Sequence, residues 1–385
     1  MYVPREEEHK LFELLGKKEA LALVGPRRAG KTTLAKRLLE DWISAERKGE
    51  FIDLEAIGAP DTAEKLKKKM ENVPEGGLIV LDEVQSVEDW VKVVRQEIEV
   101  GTRHILLTGS SASLLSSEIA SSLGGRAVPE TVLPLSYRNA KKWGIRDLDE
   151  YMAVGGYPEC VLRPGDASRL HKLYLELTVL RDVAARKGVR EVKPLSDLAL
   201  LLLSESGKKI SAKKTASTLG ISQPTFRSFV QGLNDAFLVL SIPPYVRSPR
   251  ERLVADAKHY AYDVGLQASV TISTQADRGR RLENLVAVEL VRRGYSLSYF
   301  AGDNWECDFI ALKPGERPLA VQVWSGGEGK LPERELEGLR NGMKIWNGNG
   351  LLLSGEKSIS ALNSVSALEG AAFNTLEKWL QEPLT

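Results

Sequence analysis

The octapeptide GPRRAGKT, residues 25–32, constrains the fold of this chain more than any other stretch. It matches the pattern GxxxxGK[ST], follows the apolar run Leu21–Val24, and precedes Thr32–Ser44, whose apolar residues recur at helical spacing. Glycines let such a loop curl so that its N–H groups point at phosphate oxygens, and the following helix adds its positive dipole end. Strand, loop and helix together predict a phosphate-binding loop in a parallel α/β domain rather than a chance glycine turn.

The residues of this loop have expected roles. We expect Lys31 to reach the β- and γ-phosphates of a nucleotide and Thr32 to ligate Mg²⁺. ATP and Mg²⁺ are therefore the predicted ligands of this part of the chain. The predicted nucleotide-binding residues are Gly25, Pro26, Arg27, Arg28, Ala29, Gly30, Lys31, Thr32 and Thr33.

A second motif, LDEVQ at residues 81–85, ends another apolar run. The carboxyl ends of parallel strands form the ligand-binding edge of an open sheet, so Asp82 is expected to hold the Mg²⁺ shell. Glu83 is expected to orient or deprotonate the attacking water, which favours hydrolysis over transfer of phosphate to a small molecule. An acidic surface turn is the plainer alternative.

Two further catalytic candidates rest on weaker patterns. Ser110 follows the strand-like run Ile105–Thr108 and is placed to sense the γ-phosphate, although a helix cap explains a serine there equally well. Arg126 follows two glycines and could serve a neighbouring copy as an arginine finger. An isolated arginine, however, is more often a solvated surface charge.

Length and composition bound the remaining possibilities. At 385 residues, and with about 100 to 200 residues in a usual domain, the chain should hold two to four domains. The formal net charge of +1 gives no global reason to bind nucleic acid or membrane. Neither Cys160 nor Cys307 belongs to a CxxC pair, and the longest apolar stretch, around Leu198–Ser204, is too short for a membrane span. We expect a cytoplasmic protein without a membrane partner.

A local basic surface is predicted in the middle of the chain. Lys193–Tyr260 holds ten Lys and Arg against five Asp and Glu, and residues 210–240 are typical of helix, turn, helix, with the second helix running over 223–240. In a winged helix this second helix enters the major groove of DNA, although such modules also serve as protein contacts. The predicted DNA contacts are Lys213, Lys214, Ser222, Gln223, Thr225 and Arg227.

Several stretches together resemble a known family. LVGPRRAGKTTLAKRLL, LIVLDEVQSVEDW, ILLTGSSASLLSSEIASSLGGRAVPETVLPLSYRN and VGGYPECVL resemble archaeal and bacterial AAA-type ATPases, in which a P-loop domain precedes a winged helix and a restriction-endonuclease-like domain. KHYAYDVGL and GRRLENLVAVELVRRGYSLSYFAGDNWECDFIAL resemble the C-terminal signature of that group. The resemblance implies a five-stranded parallel sheet, a sensor role for Ser110, and a match of Arg126 to the family's GGR position.

The resemblance also implies a division of the chain. We expect an AAA-type P-loop ATPase domain at 1–145 and a helical lid or connector at 146–192. A winged-helix domain is expected at 193–262, followed by a nuclease-like α/β domain at 263–385. The predicted fold class is therefore α/β with a helical lid and two further domains.

The nuclease-like domain is expected to be inactive. Restriction-type nucleases gather a helix glutamate, a strand acid, and a further acid and lysine around Mg²⁺. Glu283 and Asp308 match the first two, although an ordinary polar helix position also explains Glu283. Gln322 and Trp324 stand where the acid and the lysine are needed, and neither can replace them.

These patterns predict an ATP-hydrolysing AAA-type ATPase that acts on DNA or is regulated by it. Branched or single-stranded DNA and further copies of the chain are the expected partners. The alternative is a nucleotide-driven switch or scaffold for a protein partner, in which the winged helix only packs. A metal-dependent nuclease regulated by ATP is disfavoured by Gln322 and Trp324.

Overall fold

The chain is described here from a computed structural model. The structure describes residues 3–109, 123–246, 248, 251, 255–271, 275–326 and 331–383. Contacts between Cα atoms divide the chain into two compact units, of which unit 1 comprises residues 1–134 with 235–237, and unit 2 comprises 135–234 with 238–385.

Strands and helices alternate in the described part of unit 1, as the sequence predicts. The strands pair in the order β2-β3-β4-β1-β5, and all pairs are parallel. The expected five-stranded parallel sheet is therefore confirmed. The elements are α1 Glu8–Leu15, β1 Ala20–Val24, α2 Lys31–Ser44, β2 Gly49–Asp53, α3 Ala63–Glu71, β3 Leu78–Asp82, α4 Trp90–Val100, β4 His104–Gly109 and β5 Ala127–Thr131.

The centre of this sheet is buried on both faces. All residues of β1 and β3 are buried, as expected of parallel strands whose two faces are covered by crossover helices. Leu23 of β1, Leu38 and Trp42 of α2, and Leu106 of β4 pack in one apolar core. Because the strands are parallel, β1, β3 and β4 end at the same edge of the sheet, and that edge carries the sequence motifs.

The first half of unit 2 is helical. Its longest helix begins at Ala167 and includes a π-helical stretch, Thr178–Ala184, before a last turn, Ala185–Lys187. The carboxylate of Asp263 joins this half to the rest of the unit, because it accepts the N–H groups of Gly156 at 2.7 Å and Leu266 at 2.9 Å. The helices are α5 Tyr137–Lys142, α6 Leu148–Val154, α7 Pro158–Leu162, α8 Ala167–Leu177 and α9 Val192–Ser204.

A small antiparallel sheet with strand order β6-β8-β7 follows α9. The prediction of one helix over 223–240 is wrong, because α11 ends at Asp235 and Val239–Ile242 forms a strand. The Asn234 side chain helps to end the helix by accepting the N–H of Ser241 at 2.9 Å. The elements are β6 Lys209–Ile210, α10 Ala212–Thr218, α11 Gln223–Asp235, β7 Val239–Ile242, β8 Ala257–Ala261 and α12 Val264–Val270.

The last part of unit 2 is built on a mixed sheet of order β13-β12-β11-β10-β9. Strands β9, β10 and β11 pair antiparallel, whereas β11, β12 and β13 pair parallel. The β9–β10 register shifts between Cys307 and Ile310, so Asp308 lies in a bulge. The elements are α13 Gln275–Arg292, β9 Ser296–Ala301, β10 Glu306–Leu312, β11 Leu319–Trp324, α14 Glu333–Trp346, β12 Asn349–Ser354, α15 Ile359–Ser366, β13 Ala371–Thr375 and α16 Leu376–Leu380.

None of the helices in the described part of the chain combines the length and the apolar composition that a membrane crossing requires.

Candidate functional sites

The loop between β1 and α2 has the backbone of a phosphate cradle. Gly25, Arg28 and Gly30 have φ values of 149°, 65° and 93°, which turn the chain sharply before the helix begins at Lys31. A side chain at position 25 would place its Cβ 2.1 Å from the carbonyl oxygen of Val132, so only glycine fits there. The loop therefore presents backbone N–H groups and a helix N-terminus at the carboxyl edge of the sheet.

Lys31 lies against this loop. Its side chain is buried, and its ammonium group donates to the carbonyl oxygens of Gly25 at 3.0 Å and Pro26 at 2.9 Å. Carbonyl oxygens are weaker partners of an ammonium group than phosphate oxygens are. The position of Lys31 therefore allows it to exchange these contacts for a bound phosphate.

Thr32 and Asp82 meet at the same edge. The Thr32 hydroxyl lies 3.1 and 3.0 Å from the two carboxylate oxygens of Asp82, and the Thr108 hydroxyl donates to Asp82 Oδ1 at 2.6 Å. Burial raises the pKa of Asp82, while the hydrogen bonds from Thr108 and Thr32 oppose that shift. A hydroxyl group hydrogen-bonded to a carboxylate provides two oxygen ligands of the kind that Mg²⁺ prefers.

Glu83 follows Asp82 in a left-handed conformation, with φ 55° and ψ 55°. Its N–H donates to the Thr108 hydroxyl at 3.0 Å, so Thr108 links the backbone of Glu83 to the carboxylate of Asp82. The side-chain amide of Gln85 donates to the Glu83 carboxylate. The amide oxygen of Gln85 is enclosed and finds no hydrogen-bond donor among the residues that the structure describes.

Arg5 is a part of this site that sequence reasoning missed. Its guanidinium is buried and donates to the carbonyl oxygen of Ala29 within the loop, and to that of Leu133 at 3.2 Å. Arg5 thus fixes the loop to the segment that follows β5. The sequence offers no signal for this contact, because it joins residues 24 and 128 positions apart.

The two weaker catalytic candidates have different outcomes. Ser110 lies outside the described residues, and in the described part of β4 the hydroxyl that contacts Asp82 and Glu83 belongs to Thr108. Arg126 precedes β5, at the edge of the sheet opposite the loop, with its guanidinium 3.4 Å from Glu99. Arg126 is therefore remote from the site of its own chain.

The predicted DNA contacts lie on α10, on α11 and at Ser222, which directly precedes α11. Thr225 is half-buried, and the Ser222 hydroxyl accepts its N–H at 3.1 Å, which caps α11 as the sequence suggests. Pro224 occupies the first turn of that helix. The exposed members of the set are Lys213, Lys214, Ser222, Gln223 and Arg227.

Three of the four nuclease-like positions come together at the second five-stranded sheet. The N–H of Asp308 points to the Gln322 side-chain oxygen at 3.4 Å, and the Val323 N–H donates to Asp308 Oδ2 at 2.8 Å. Glu283 of α13 lies close enough for its charge to raise the pKa of Asp308. Trp324 does not join them, because its ring is buried in the apolar core beneath α14.

A lysine that sequence reasoning missed lies among these acids. The ammonium group of Lys258, on β8, is 3.0 Å from Glu283 Oε1 and 2.5 Å from Glu306 Oε1. Burial opposes the charge of Lys258, but Glu283, Asp308 and Glu306 together raise its pKa. Burial and then Glu283 raise the pKa of Asp308 well above its usual range, against the effect of Lys258. Within the described residues, no three or more His, Cys, Asp and Glu side chains are placed to hold a metal ion.

Comparison with family models assigns the first unit to a class. Residues 17–140 match the model described as an AAA domain, which agrees with the P-loop, the acidic strand end and the strand order of the first sheet. The chain thus carries an AAA-type P-loop domain. Residues 145–277 match a model described as a domain of unknown function (DUF8612).

Curated relatives extend over most of the chain. An uncharacterized protein of Haemophilus influenzae is 31% identical over 325 residues, which cover 78% of this chain and 80% of that protein. The uncharacterized protein MJ1544 of Methanocaldococcus jannaschii is 29% identical over 354 residues, covering 84% of this chain and 78% of the relative. The chain belongs to the family of the Haemophilus influenzae protein.

Solved structures are only distantly similar. DnaA of Aquifex aeolicus bound to AMPPCP aligns with a TM-score of 0.32 and 10% identity over 61% of this chain and 89% of that chain. DnaA bound to AMPPCP and single-stranded DNA aligns with a TM-score of 0.33 and 14% identity over 61% of this chain and 90% of that chain. Scores this low carry no inference about activity.

Proposed function

We propose that the protein binds ATP at the loop 25–32 and hydrolyses it. The observation that carries this proposal is the contact between Thr32 and both carboxylate oxygens of Asp82, beside the buried ammonium group of Lys31. This arrangement suits a nucleoside triphosphate with its metal ion, because it combines a phosphate-binding loop with a hydroxyl group and a strand-end carboxylate. The AAA domain match over residues 17–140 supports the same reading.

The chain's own groups have distinct tasks in this reaction. The N–H groups of the loop and of the first turn of α2 bind phosphate oxygens, and Lys31 neutralises charge that develops on the β- and γ-phosphates. Thr32 and Asp82 would hold Mg²⁺, which supplies further neutralisation of phosphate charge when bound. Arg5 stabilises the conformation of the loop by donating a hydrogen bond to the carbonyl oxygen of Ala29.

Glu83 is the proposed base. It orients and deprotonates the attacking water, and the backbone of Glu83 is fixed by Thr108. The amide of Gln85 holds the Glu83 carboxylate, so Gln85 is a positioning residue in this account. Ser110 as a sensor and Arg126 as a finger toward a second copy remain proposals; the remote position of Arg126 from its own loop favours action in trans.

Measurement of ATP hydrolysis in two lysine variants tests this function. Lys31→Ala should lower the rate to background, because it removes the phosphate-binding cation. Lys36→Ala is a matched control, since Lys36 lies on the same helix and is exposed, and it should keep the rate of the original chain. Full activity in Lys31→Ala would refute the site.

We also propose that the middle of the chain binds DNA as a winged helix and couples that binding to ATP hydrolysis. The order α9, β6, α10, α11, β7, β8 and the antiparallel sheet are consistent with such a module. Lys213, Lys214 and Arg227 are exposed there, and the exposed start of α11 suits entry into a groove. The predicted four-part division of the chain belongs to this proposal.

The DNA role is tested by ATPase rates with duplex, branched and single-stranded DNA over a range of salt. Stimulation by one form, with binding that weakens steeply as salt rises, is expected. Arg227→Ala should weaken binding, whereas exposed Arg163→Ala, on another part of unit 2, should not. If none of the three forms of DNA binds or changes the ATPase rate, the alternative is favoured, which is a nucleotide-driven switch for a protein partner.

For the second five-stranded sheet we propose a nuclease-like domain without nuclease activity. Gln322 hydrogen-bonds to Glu335 at 2.6 Å, so its amide is engaged in a structural contact. Trp324 contributes its indole ring to the core. Cleavage of supercoiled DNA that requires Mg²⁺ and is lost in Asp308→Ala would overturn this assignment.

A further inference from the structure

Glu283, Glu306 and Asp308 form an acid cluster in unit 2, and a lysine side chain lies among them. We propose that the ammonium group of Lys258 occupies the position between Glu283 and Glu306 that a divalent ion would need. The same group links the three-stranded sheet to the second five-stranded sheet. This inference is independent of the ATPase and DNA proposals.

The first support is the geometry of the ammonium group. Lys258 extends from β8, and its side chain is only 4% exposed, so its charge is enclosed where the two sheets meet. Its nitrogen lies 3.0 Å from an oxygen of Glu283 and 2.5 Å from an oxygen of Glu306. These partners come from α13 and β10, so one cation joins three separate elements.

The second support is that both acids have a further donor besides Lys258, which for Glu283 binds the same oxygen as Lys258 does. Tyr260, two residues after Lys258 on β8, donates to Glu283 Oε1 at 2.6 Å. Lys209 of β6 lies 2.8 Å from Glu306 Oε2. Each carboxylate oxygen of Glu306 therefore contacts an ammonium group, so a metal ion would have to displace a lysine to bind Glu306.

The third support is the position of Asp308 beside the cluster. Its Oδ2 accepts the N–H of Val323, while Asp308 and Gln322 line an open cleft of about 460 Å³ together with Lys209 and Glu306. The ammonium group of Lys258 bridges Glu306, on the wall of this cleft, to Glu283. Among the described residues these acids are not placed to hold a metal ion while Lys258 lies between them, and removal of its ammonium group would let Glu283, Glu306 and Asp308 close around a divalent cation.

The test is Mn²⁺ binding by the full chain without nucleotide, followed by electron paramagnetic resonance. The original chain and Lys258→Arg, which keeps a cation, should bind no Mn²⁺ at this cluster. Lys258→Met should bind one ion, and Lys258→Met with Asp308→Asn should bind it at least tenfold more weakly. Circular dichroism establishes that each variant is folded.

If Lys258→Met does not fold, the double variant Lys258→Met with Glu306→Gln replaces it, because it removes one positive and one negative charge together. This variant should also gain one Mn²⁺ through Glu283 and Asp308. The proposal is overturned if the original chain binds Mn²⁺ at a site that Asp308→Asn removes. It is equally overturned if the folded variants without Lys258 bind none.

Discussion

Two regions of this molecule combine a buried lysine with acids carried on strands, and the lysine has different partners in each. At the first sheet, Lys31 contacts two carbonyl oxygens, and the carboxylate of Asp82 is held by the hydroxyl groups of Thr32 and Thr108. At the second sheet, Lys258 contacts the carboxylates of Glu283 and Glu306 directly.

The difference lies in which partners can be exchanged. Contacts to carbonyl oxygens and hydroxyl groups can be given up for phosphate and a metal ion, because those ligands offer full charges in return. A buried ammonium group between two carboxylates has no better partner to move to, and separating it would leave uncompensated charge. The first arrangement is therefore a site for a ligand, and the second is a structural contact.

The largest expected effect is on turnover at the first region. Glu83→Gln should lower the rate of ATP hydrolysis by about 10²- to 10⁴-fold, because an amide cannot take the proton of water. ATP binding should persist, since the loop and Lys31 are unchanged. Single-turnover hydrolysis and equilibrium binding of a fluorescent ATP analogue measure the two effects separately.

Glu88→Gln is the control for this variant, because Glu88 is exposed and lies five residues away. It should match the original chain in both assays. Unchanged turnover in Glu83→Gln would show that Glu83 is not the base of the first region.

At the second region, the expected effect is on stability. Lys258→Met should lower the free energy of unfolding by about 3 to 5 kcal/mol, because it leaves the half-buried carboxylates of Glu283 and Glu306 without their cation. Lys31→Met loses hydrogen bonds to two carbonyl oxygens and should change it by about 1 kcal/mol. Urea unfolding measures both, and equal losses in the two variants would contradict the distinction between the regions.

Lys209→Met provides a matched control at the same cluster. Its side chain is 44% exposed and also contacts Glu306, so its removal should cost at most about 1 kcal/mol.

How much the sequence reveals differs between the regions as well. Thr32 and Asp82 lie 50 positions apart, but each belongs to a motif of its own at the end of an apolar strand-like run, and those motifs predict the sheet edge where they meet. Lys258 belongs to no such motif, so nothing in the sequence predicts its contacts with Glu283 and Glu306.

Local ambiguity explains the other differences. The run FLVL after Asp235 fits a buried helix or a strand equally well, and pairing with β8 decides in favour of the strand. The sequence also presents Thr108 and Ser110 as similar hydroxyl groups. Only the strand register places Thr108 between Asp82 and Glu83.

A smaller effect should appear with pH at the second region. Burial lowers the pKa of His259, the neighbour of Lys258 on β8, to about 4. Because an unfolded histidine titrates near 6.5, the unfolded state binds more protons between these values, and stability falls as the pH drops from about 6.5 to about 4. The loss at pH 5 relative to pH 7.5 should be about 2 kcal/mol.

His259→Gln should remove this part of the pH dependence, since glutamine does not titrate and can still meet the Ser241 hydroxyl, which lies 2.8 Å from His259 Nδ1. Urea unfolding at the two pH values measures the effect. A pH dependence unchanged in His259→Gln would assign the effect to other groups.

We expect the first region to bind a metal ion only together with nucleotide, and the second region to bind none. Mn²⁺ titration of the original chain, followed by electron paramagnetic resonance, tests it with and without a non-hydrolysable ATP analogue. We expect no bound ion without the analogue and one ion with it, lost in Asp82→Asn and kept in Asp308→Asn. An ion that binds without the analogue and is lost in Asp308→Asn would refute both assignments.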